Sequence, residues 1–480
     1  MSWNPNAQLG IAVYRQIAQH FEEQILTGKL SPGEHLPAER SLAKSLGVNR
    51  STVTASYEEL RASGLVKSVQ GSGTKVSEDL WGVSVHPAPS WQEYTSGGIF
   101  RPAQPLVRRI REASLHEGVI DFARGELASD LFPVKQLNEL IHHLHLVEPL
   151  GYSVPKGLEG LREVLAQHVH AQYNMKTTSS EILITSGAQQ ALHLITSCLL
   201  RSGDAVALEC PSYAYSLSLF TSAGLRLFPI PMDEYGVIPE SIPDLVKRHR
   251  IRMVFINPTF QNPTGTTLPV HRRRELLRIC ESLRLPVVED DPYGELALDE
   301  QVPVAPLAAL PEAFGKVVYL GSLSKTIAPG LRIGWVIGPK NVIDRLADAK
   351  EQMDFGTSVI SQLIAQEFLQ SGAWQDNVLS LRRILKQRRN RMLAALEENL
   401  KELMTWTIPQ GSYHVWCQLS SKVKDTDLLD ACIRRGVVVL PGGVYGADRG
   451  FIRLTYARAL EEEIEEGVVR LRLALESLVL

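Results

Sequence analysis

Apolar positions along the chain fall into three textures. Over residues 11–76 they recur at helical spacing in short runs. Ile11, Tyr14, Ile17, Ala18, Phe21 and Ile25 share one face of a predicted helix that Gly28 stops. Leu42 and Leu46 mark a second, shorter helix ending at Gly47. Val53, Tyr57 and Leu60 line a third, with Asn49 or Ser51 as its cap and Gly64 as its end. Residues 65–69 and 74–76 are strand-like and flank Gln70-Gly71-Ser72-Gly73, a turn that reads as a wing. Three helices, a tight turn at Gly47 and a hairpin together predict a winged helix-turn-helix. From about 119 to 480, apolar strand-like runs alternate with amphipathic helices, the pattern of an α/β fold. Between the two, residues 77–118 are irregular, with Pro87, Pro89, Pro102, Pro105, Trp81, Trp91, Tyr94 and Gly97-Gly98.

The expected organisation is therefore a small reader over 1–76, a linker over 77–118 and a large α/β domain over 119–480. A flexible linker of ~40 residues spans on the order of 35 Å relaxed and roughly 130 Å pulled straight, enough to reach a neighbouring subunit. Its aromatics equally allow part of it to dock on the large domain. Both readings stay open.

With 480 residues, 44% of them hydrophobic and 21% charged, the chain can bury a sizeable core. A formal net charge of −3 excludes a uniformly basic coat but not a local basic face. Residues 1–76 carry eight basic and six acidic side chains, so firm DNA binding calls for two copies. The five cysteines, Cys198, Cys210, Cys280, Cys417 and Cys432, form no CxxC pair, which points away from disulfides or a metal site and towards a reducing compartment. The first residues lack a basic-then-apolar signal, and no apolar run approaches the ~18 residues of a membrane span. A soluble, cytoplasmic protein is expected.

The run Pro32-Gly33…Leu36-Pro37-Ala38-Glu39-Arg40…Leu42-Ala43…Gly47-Val48…Arg50…Thr52-Val53…Tyr57…Leu60…Gly64-Leu65 resembles the GntR family of winged-helix regulators. The resemblance implies that Arg40 binds a phosphate and that Asn49, Arg50, Ser51 and Thr52 open the recognition helix in the major groove. Gln70 and Gly71 would carry the wing to the minor groove. A guanidinium and small hydroxyls suit phosphate oxygens and guanine edges. The bland alternative is a winged helix used for protein contact.

In the large domain, Thr185-Ser186-Gly187-Ala188-Gln189-Gln190-Ala191-Leu192 follows an apolar strand and opens a helix, whose free N–H groups suit a phosphate. Val287-Val288-Glu289-Asp290-Asp291-Pro292-Tyr293 puts acids at a strand end, where α/β sheets place ligand groups. Tyr319-Leu320-Gly321-Ser322-Leu323-Ser324-Lys325-Thr326 ends another strand in hydroxyls and one lysine, and Arg332 follows seven residues on. Alone, such a lysine is usually a solvated surface charge.

Together these runs resemble the fold-type I aminotransferases from about Asp121 to the C-terminus. The resemblance implies a large, mostly parallel sheet domain with a smaller α+β domain, and pyridoxal phosphate as cofactor. It places the Schiff base on Lys325, the pyridine-nitrogen partner on Asp290, and partners of the ring's phenolic oxygen on Asn262 and Tyr293. Tyr213 would stack on the ring. Ala188, Gln189, Ser322, Ser324 and Arg332 would hold the phosphate, and Tyr152 would reach the phosphate of a partner subunit. Arg453 would grip the carboxylate of an incoming amino acid. One departure stands out: Arg124-Gly125-Glu126-Leu127 has Glu126-Leu127 where such enzymes often have Gly-x-Pro-Asp.

A GntR-type reader, a linker and an aminotransferase-like domain resemble the MocR (GabR-like) regulators from end to end. That resemblance implies a head-to-tail homodimer reading an operator of two half-sites, with binding that responds to an amino acid or amine captured at pyridoxal phosphate on Lys325. A working aminotransferase carrying a DNA reader and a pure pyridoxal phosphate sensor are the alternatives.

Overall fold

The computed structural model describes residues 3–6, 10–69, 73–77, 97–144, 146, 151–299 and 305–478. They divide into two compact units, Met1–Gly98 and Ile99–Leu480.

In the first unit, helices Val13–Leu26, Glu39–Leu46 and Arg50–Ala62 precede strands β1 (Val66–Val69) and β2 (Gly73–Val76), which pair antiparallel. The predicted apolar face is the core: Ile17, Phe21, Ile25, Leu42, Val53, Tyr57 and Leu60 are all buried together. Ile11 lies before the helix and is exposed. Gly47 closes the second helix in the left-handed region at φ 65°, the conformation that makes the tight turn into the third. The Tyr57 hydroxyl donates to Pro37 O at 2.8 Å and ties the third helix to the entry of the second.

The second unit is a layered α/β body. Its strands are β3 (Ile120–Asp121), β4 (Ile182–Thr185), β5 (Ala205–Cys210), β6 (Arg226–Asp233), β7 (Gly236–Val237), β8 (Ile251–Ile256), β9 (Val287–Asp290), β10 (Val317–Ser322), β11 (Gly334–Ile337), β12 (Met404–Trp406), β13 (His414–Leu419), β14 (Val437–Val438), β15 (Leu440–Pro441) and β16 (Phe451–Thr455). Eight of them form one sheet in the order β4-β11-β10-β9-β8-β5-β6-β7. The pairs from β6 to β10 run parallel, while β11 and β7 join antiparallel. Continuous apolar runs such as Val287-Val288 and Val317-Val318 suit strands covered on both faces. A smaller antiparallel sheet, β12-β13-β16-β15, packs with helices Ala373–Leu400, Asp425–Arg434 and Glu463–Glu476 around a second core. β9 and β10 end side by side, with Leu320 opposite Asp290, so the predicted acid and lysine leave the sheet at the same end of the strands.

The stretch expected as a linker over 77–118 divides. Residues 78–96 lie outside the described residues, whereas 99–118 belong to the second unit. Pro105 opens a helix, Pro105–Ala113, whose Ile110 and Ala113 bury against Ala123, Leu429 and Val438. Arg109 pairs with Asp430, and Gln104 Nε2 donates to Tyr215 O at 3.2 Å. Proline at the first helical position costs nothing, because that N–H has no intrahelical partner. Pro102 and Pro105 thus precede and open a docked helix.

Candidate cofactor pocket and DNA-reading face

Lys325 closes a short helical turn directly after β10, and its Nζ points back across the sheet edge to donate to Gly125 O at 2.8 Å. Burial pushes the amine down from its ordinary 10.5 to about 8. The Arg453 guanidinium pushes the same way, while Glu126 and Asp290 oppose it. Asp290, at the end of β9, presents Oδ1 with no hydrogen-bond partner among the described residues. Burial, followed by the neighbouring Asp291 carboxylate, raises it to about 7, and Lys325 pulls it back. Asn257 braces the floor: its Nδ2 donates to Asp290 O at 2.7 Å and its Oδ1 accepts from Asn262 N at 2.9 Å.

Opposite lies the first turn of helix Ala188–Cys198, whose cap Gly187 sits at φ 92° and ψ 168°, a region closed to residues with a Cβ. Arg332, itself left-handed at φ 55°, aims Nη2 at Ser186 O (2.6 Å), and a Cβ on Gly187 would meet that nitrogen at 3.0 Å. Ser322 Oγ donates to Ser324 Oγ at 3.0 Å and accepts from Ser324 N at 3.1 Å. Helix N–H groups, two hydroxyls and a guanidinium therefore converge as an anion cradle.

Arg453, buried on β16, donates through Nη1 to Asn262 Oδ1 at 3.0 Å and through Nη2 to Ala123 O, and its Nε has no partner among the described residues. All these groups line one cavity of about 670 Å³, together with Tyr213 and Tyr293. That size falls within the roughly 300–1,000 Å³ of small-molecule sites. The expected positions Ala188, Gln189, Tyr213, Asn262, Asp290, Tyr293, Ser322, Ser324, Lys325, Arg332 and Arg453 all line this one cavity. Tyr152 does not join them. It is 87% exposed, beside the Phe355 ring at 5.2 Å.

The predicted chemistry left several residues out. Tyr293 Oη pairs with His414 Nε2 at 3.0 Å, and His414 is held neutral by burial and by the Arg453 and Lys325 charges. Tyr413 Oη reaches Gly125 O at 3.4 Å, and Tyr445 lies under the Arg453 guanidinium at 5.3 Å. Gln104, Val107 and Ile110 of the docked segment form the outer wall. Gly411-Ser412-Tyr413-His414, entering β13, was the available signal for the first two. Nothing in the helix pattern signalled the outer wall.

The donor set fits pyridoxal phosphate: an amine for its aldehyde, an unpartnered carboxylate oxygen for its ring nitrogen, and a cradle for its phosphate. Residues 117–471 match the family model "Aminotransferase class I and II", and residues 13–76 match "Bacterial regulatory proteins, gntR family".

The chain belongs to the aminotransferase class I and II family, with a gntR-family domain in front.

The full architecture recurs in relatives. The chain is 40% identical over 469 residues to the uncharacterised HTH-type transcriptional regulator YdfD of Bacillus subtilis (strain 168), covering 97% of this chain and 96% of that protein. It is 28% identical to the HTH-type transcriptional regulator NorG of Staphylococcus aureus (strain USA300), covering 91% and 98%. The aminotransferase class I and II part superposes on LysN, an alpha-aminoadipate aminotransferase from Thermus thermophilus complexed with N-(5'-phosphopyridoxyl)-L-leucine. There the TM-score is 0.73 and the identity 32%, covering 81% of this chain and 99% of that one. The protein is thus a gntR-type DNA-binding regulator carrying an aminotransferase-like domain.

In the gntR-family domain, Asn49 occupies the cap position of helix Arg50–Ala62, but its side chain makes no cap bond and is exposed. Arg40, Arg50 and Ser51 are exposed and Thr52 is half-buried on helices Glu39–Leu46 and Arg50–Ala62. Arg50 Nε lies 3.2 Å from Glu39 Oε2, which also accepts from Thr54 Oγ1 at 3.0 Å. Gln70 and Gly71 lie outside the described residues. Among those residues no helix is long and apolar enough to cross a membrane, and no His, Cys, Asp and Glu group is arranged for a metal.

Proposed function

We propose that the protein is a pyridoxal-phosphate-dependent transcription regulator whose operator binding responds to an amino acid or amine competing with Lys325 for the cofactor's aldehyde. The observation that carries this reading is the juxtaposition of the Lys325 amine, the unpartnered Asp290 oxygen and the Arg332 cradle in one cavity, behind a gntR-type reader. Pyridoxal phosphate supplies an aldehyde that amines capture reversibly and a ring that withdraws electrons when its nitrogen is protonated. Lys325 Nζ, pushed down to about 8, holds a sizeable uncharged fraction near neutral pH and so is nucleophilic there. Asp290 would keep the ring nitrogen protonated, and Asn262 and Tyr293 would bond the phenolic oxygen while Tyr213 covers the ring. Ala188, Gln189, Ser322, Ser324 and Arg332 would bind the phosphate, joined by Tyr152 of a second copy in a head-to-tail homodimer. Arg453 would orient an incoming carboxylate, replacing its present bond to Asn262.

On the DNA side, Arg40 would bind phosphate, Asn49, Arg50, Ser51 and Thr52 would read the major groove, and Gln70-Gly71 the minor groove. Two copies would read a two-half-site operator. A coupling of about 1–3 kcal/mol between effector and DNA suffices to shift occupancy. A second reading has its own support. Lys325, Asp290 and Arg453 all face the cavity, so transamination or its half-reactions are within the site's chemistry. The deciding experiment measures turnover with a panel of amino acids and 2-oxo acids beside promoter binding with and without each. Ligand-dependent DNA binding with slow turnover supports the regulator; fast multiple turnover with unchanged DNA binding overturns it. Binding that responds to the cofactor but to no amine selects the pure sensor.

A further inference from the structure

Where β5, β6 and β8 begin, at the other end of the parallel strands from the cavity, four arginines surround a surface cleft of about 570 Å³. Arg201 precedes β5, Arg226 opens β6, Arg250 closes helix Ile242–His249 at φ 57°, and Arg252 is the second residue of β8. The register puts Ala205 of β5 opposite both Arg226 and Ile251, so Arg226 and Arg252 stand on the two strands flanking β5, roughly 10 Å apart. All four side chains are exposed, and among the described residues none has a carboxylate within ion-pair distance.

Two of the neighbouring groups are held in place. Arg226 Nε donates to Gly203 O at 3.0 Å, with its guanidinium 5.7 Å over the Phe228 ring. Among the described residues the one acid lining the cleft, Asp204, accepts from the backbone N–H of Arg201 through Oδ2 at 2.8 Å. Four unpaired cations against one engaged carboxylate contrast with a chain of net charge −3. Exposed guanidinium groups that cannot satisfy one another stay together at a cost in repulsion, which an anion with several charges relieves.

We propose that this cleft binds the phosphate backbone of duplex DNA, adding sequence-independent contacts from the aminotransferase-like unit to those of the winged helix. The inference rests on the DNA-binding reading. It adds to that reading, since each gntR-family domain carries eight basic against six acidic side chains, a small excess for one copy.

The test uses the full-length, cofactor-loaded protein and a random-sequence duplex of about 40 base pairs, followed by fluorescence anisotropy across a potassium chloride series. Each neutralised phosphate contributes about 0.9 to the slope of log affinity against log salt. The double variant Arg226→Gln/Arg252→Gln should flatten that slope by about 1.8 and weaken low-salt binding at least tenfold, with the visible cofactor absorbance unchanged. A slope and affinity equal to the wild type's overturn the proposal. So does an unchanged slope together with inorganic phosphate binding that the variant loses, since the cleft would then serve a small anion. Wild type that binds no duplex refutes the DNA-binding reading itself.

Discussion

The lowered basicity of Lys325 gives the cavity a kinetic signature. In cofactor-stripped protein the amine must be uncharged to attack an aldehyde, and burial with the Arg453 charge has moved it from 10.5 to about 8. That displacement raises the free-amine fraction at pH 7 by about 300-fold over a solvated lysine. The sign follows from the proton count. Below about pH 8 the amine is mostly protonated, so the capture rate of pyridoxal phosphate rises about tenfold per pH unit; above it the rate levels off. Stopped-flow absorbance of imine formation between about pH 6 and 9.5 reads this directly. Replacing Arg453 by Met removes a neighbouring cation and should move the bend to higher pH. A rate still climbing about tenfold per unit through the top of that range would refute the argument, because Lys325 would then behave as an ordinary exposed lysine.

Gly187→Ala should cut pyridoxal phosphate affinity at least tenfold, measured by absorbance titration, because φ 92° is strained for alanine and its Cβ meets Arg332 Nη2 at 3.0 Å. Arg50→Ala should cost about 1–3 kcal/mol of sequence discrimination in competition binding while leaving the cofactor spectrum intact. Ile110→Ala should destabilise the docking of helix Pro105–Ala113 by about 2 kcal/mol, seen as faster hydrogen exchange over that helix, and weaken amine binding through the loss of a cavity wall.

The winged helix was legible because each of its elements is local: helical spacing, glycine stops and a hairpin turn lie within 76 residues. The anion cradle and the Lys325–Asp290 pair were legible for a different reason. Each sits at the end of an apolar strand, and parallel sheets bring such ends to one edge. Helix Pro105–Ala113 was hidden by Pro102 and Pro105, which suit an extended linker and a helix start equally well; only its contacts with Ala123, Leu429 and Val438 decide between them. The His414–Tyr293 bond joins residues 121 positions apart and carries no local pattern. Tyr152 lies exposed beside Phe355, away from the cavity, so the role that the resemblance implies for it rests on the proposed second copy.

Linkage gives the most direct test of a cofactor pocket coupled to a DNA reader. If an amine changes DNA affinity by some factor, DNA must change the affinity for that amine by the same factor. Amine titrations of the cofactor-loaded protein, followed by visible absorbance with and without saturating promoter duplex, should show a shift of about 5–150-fold that matches the effect of the amine on DNA binding. Identical amine affinities in the presence and absence of a duplex that is demonstrably bound would contradict the account.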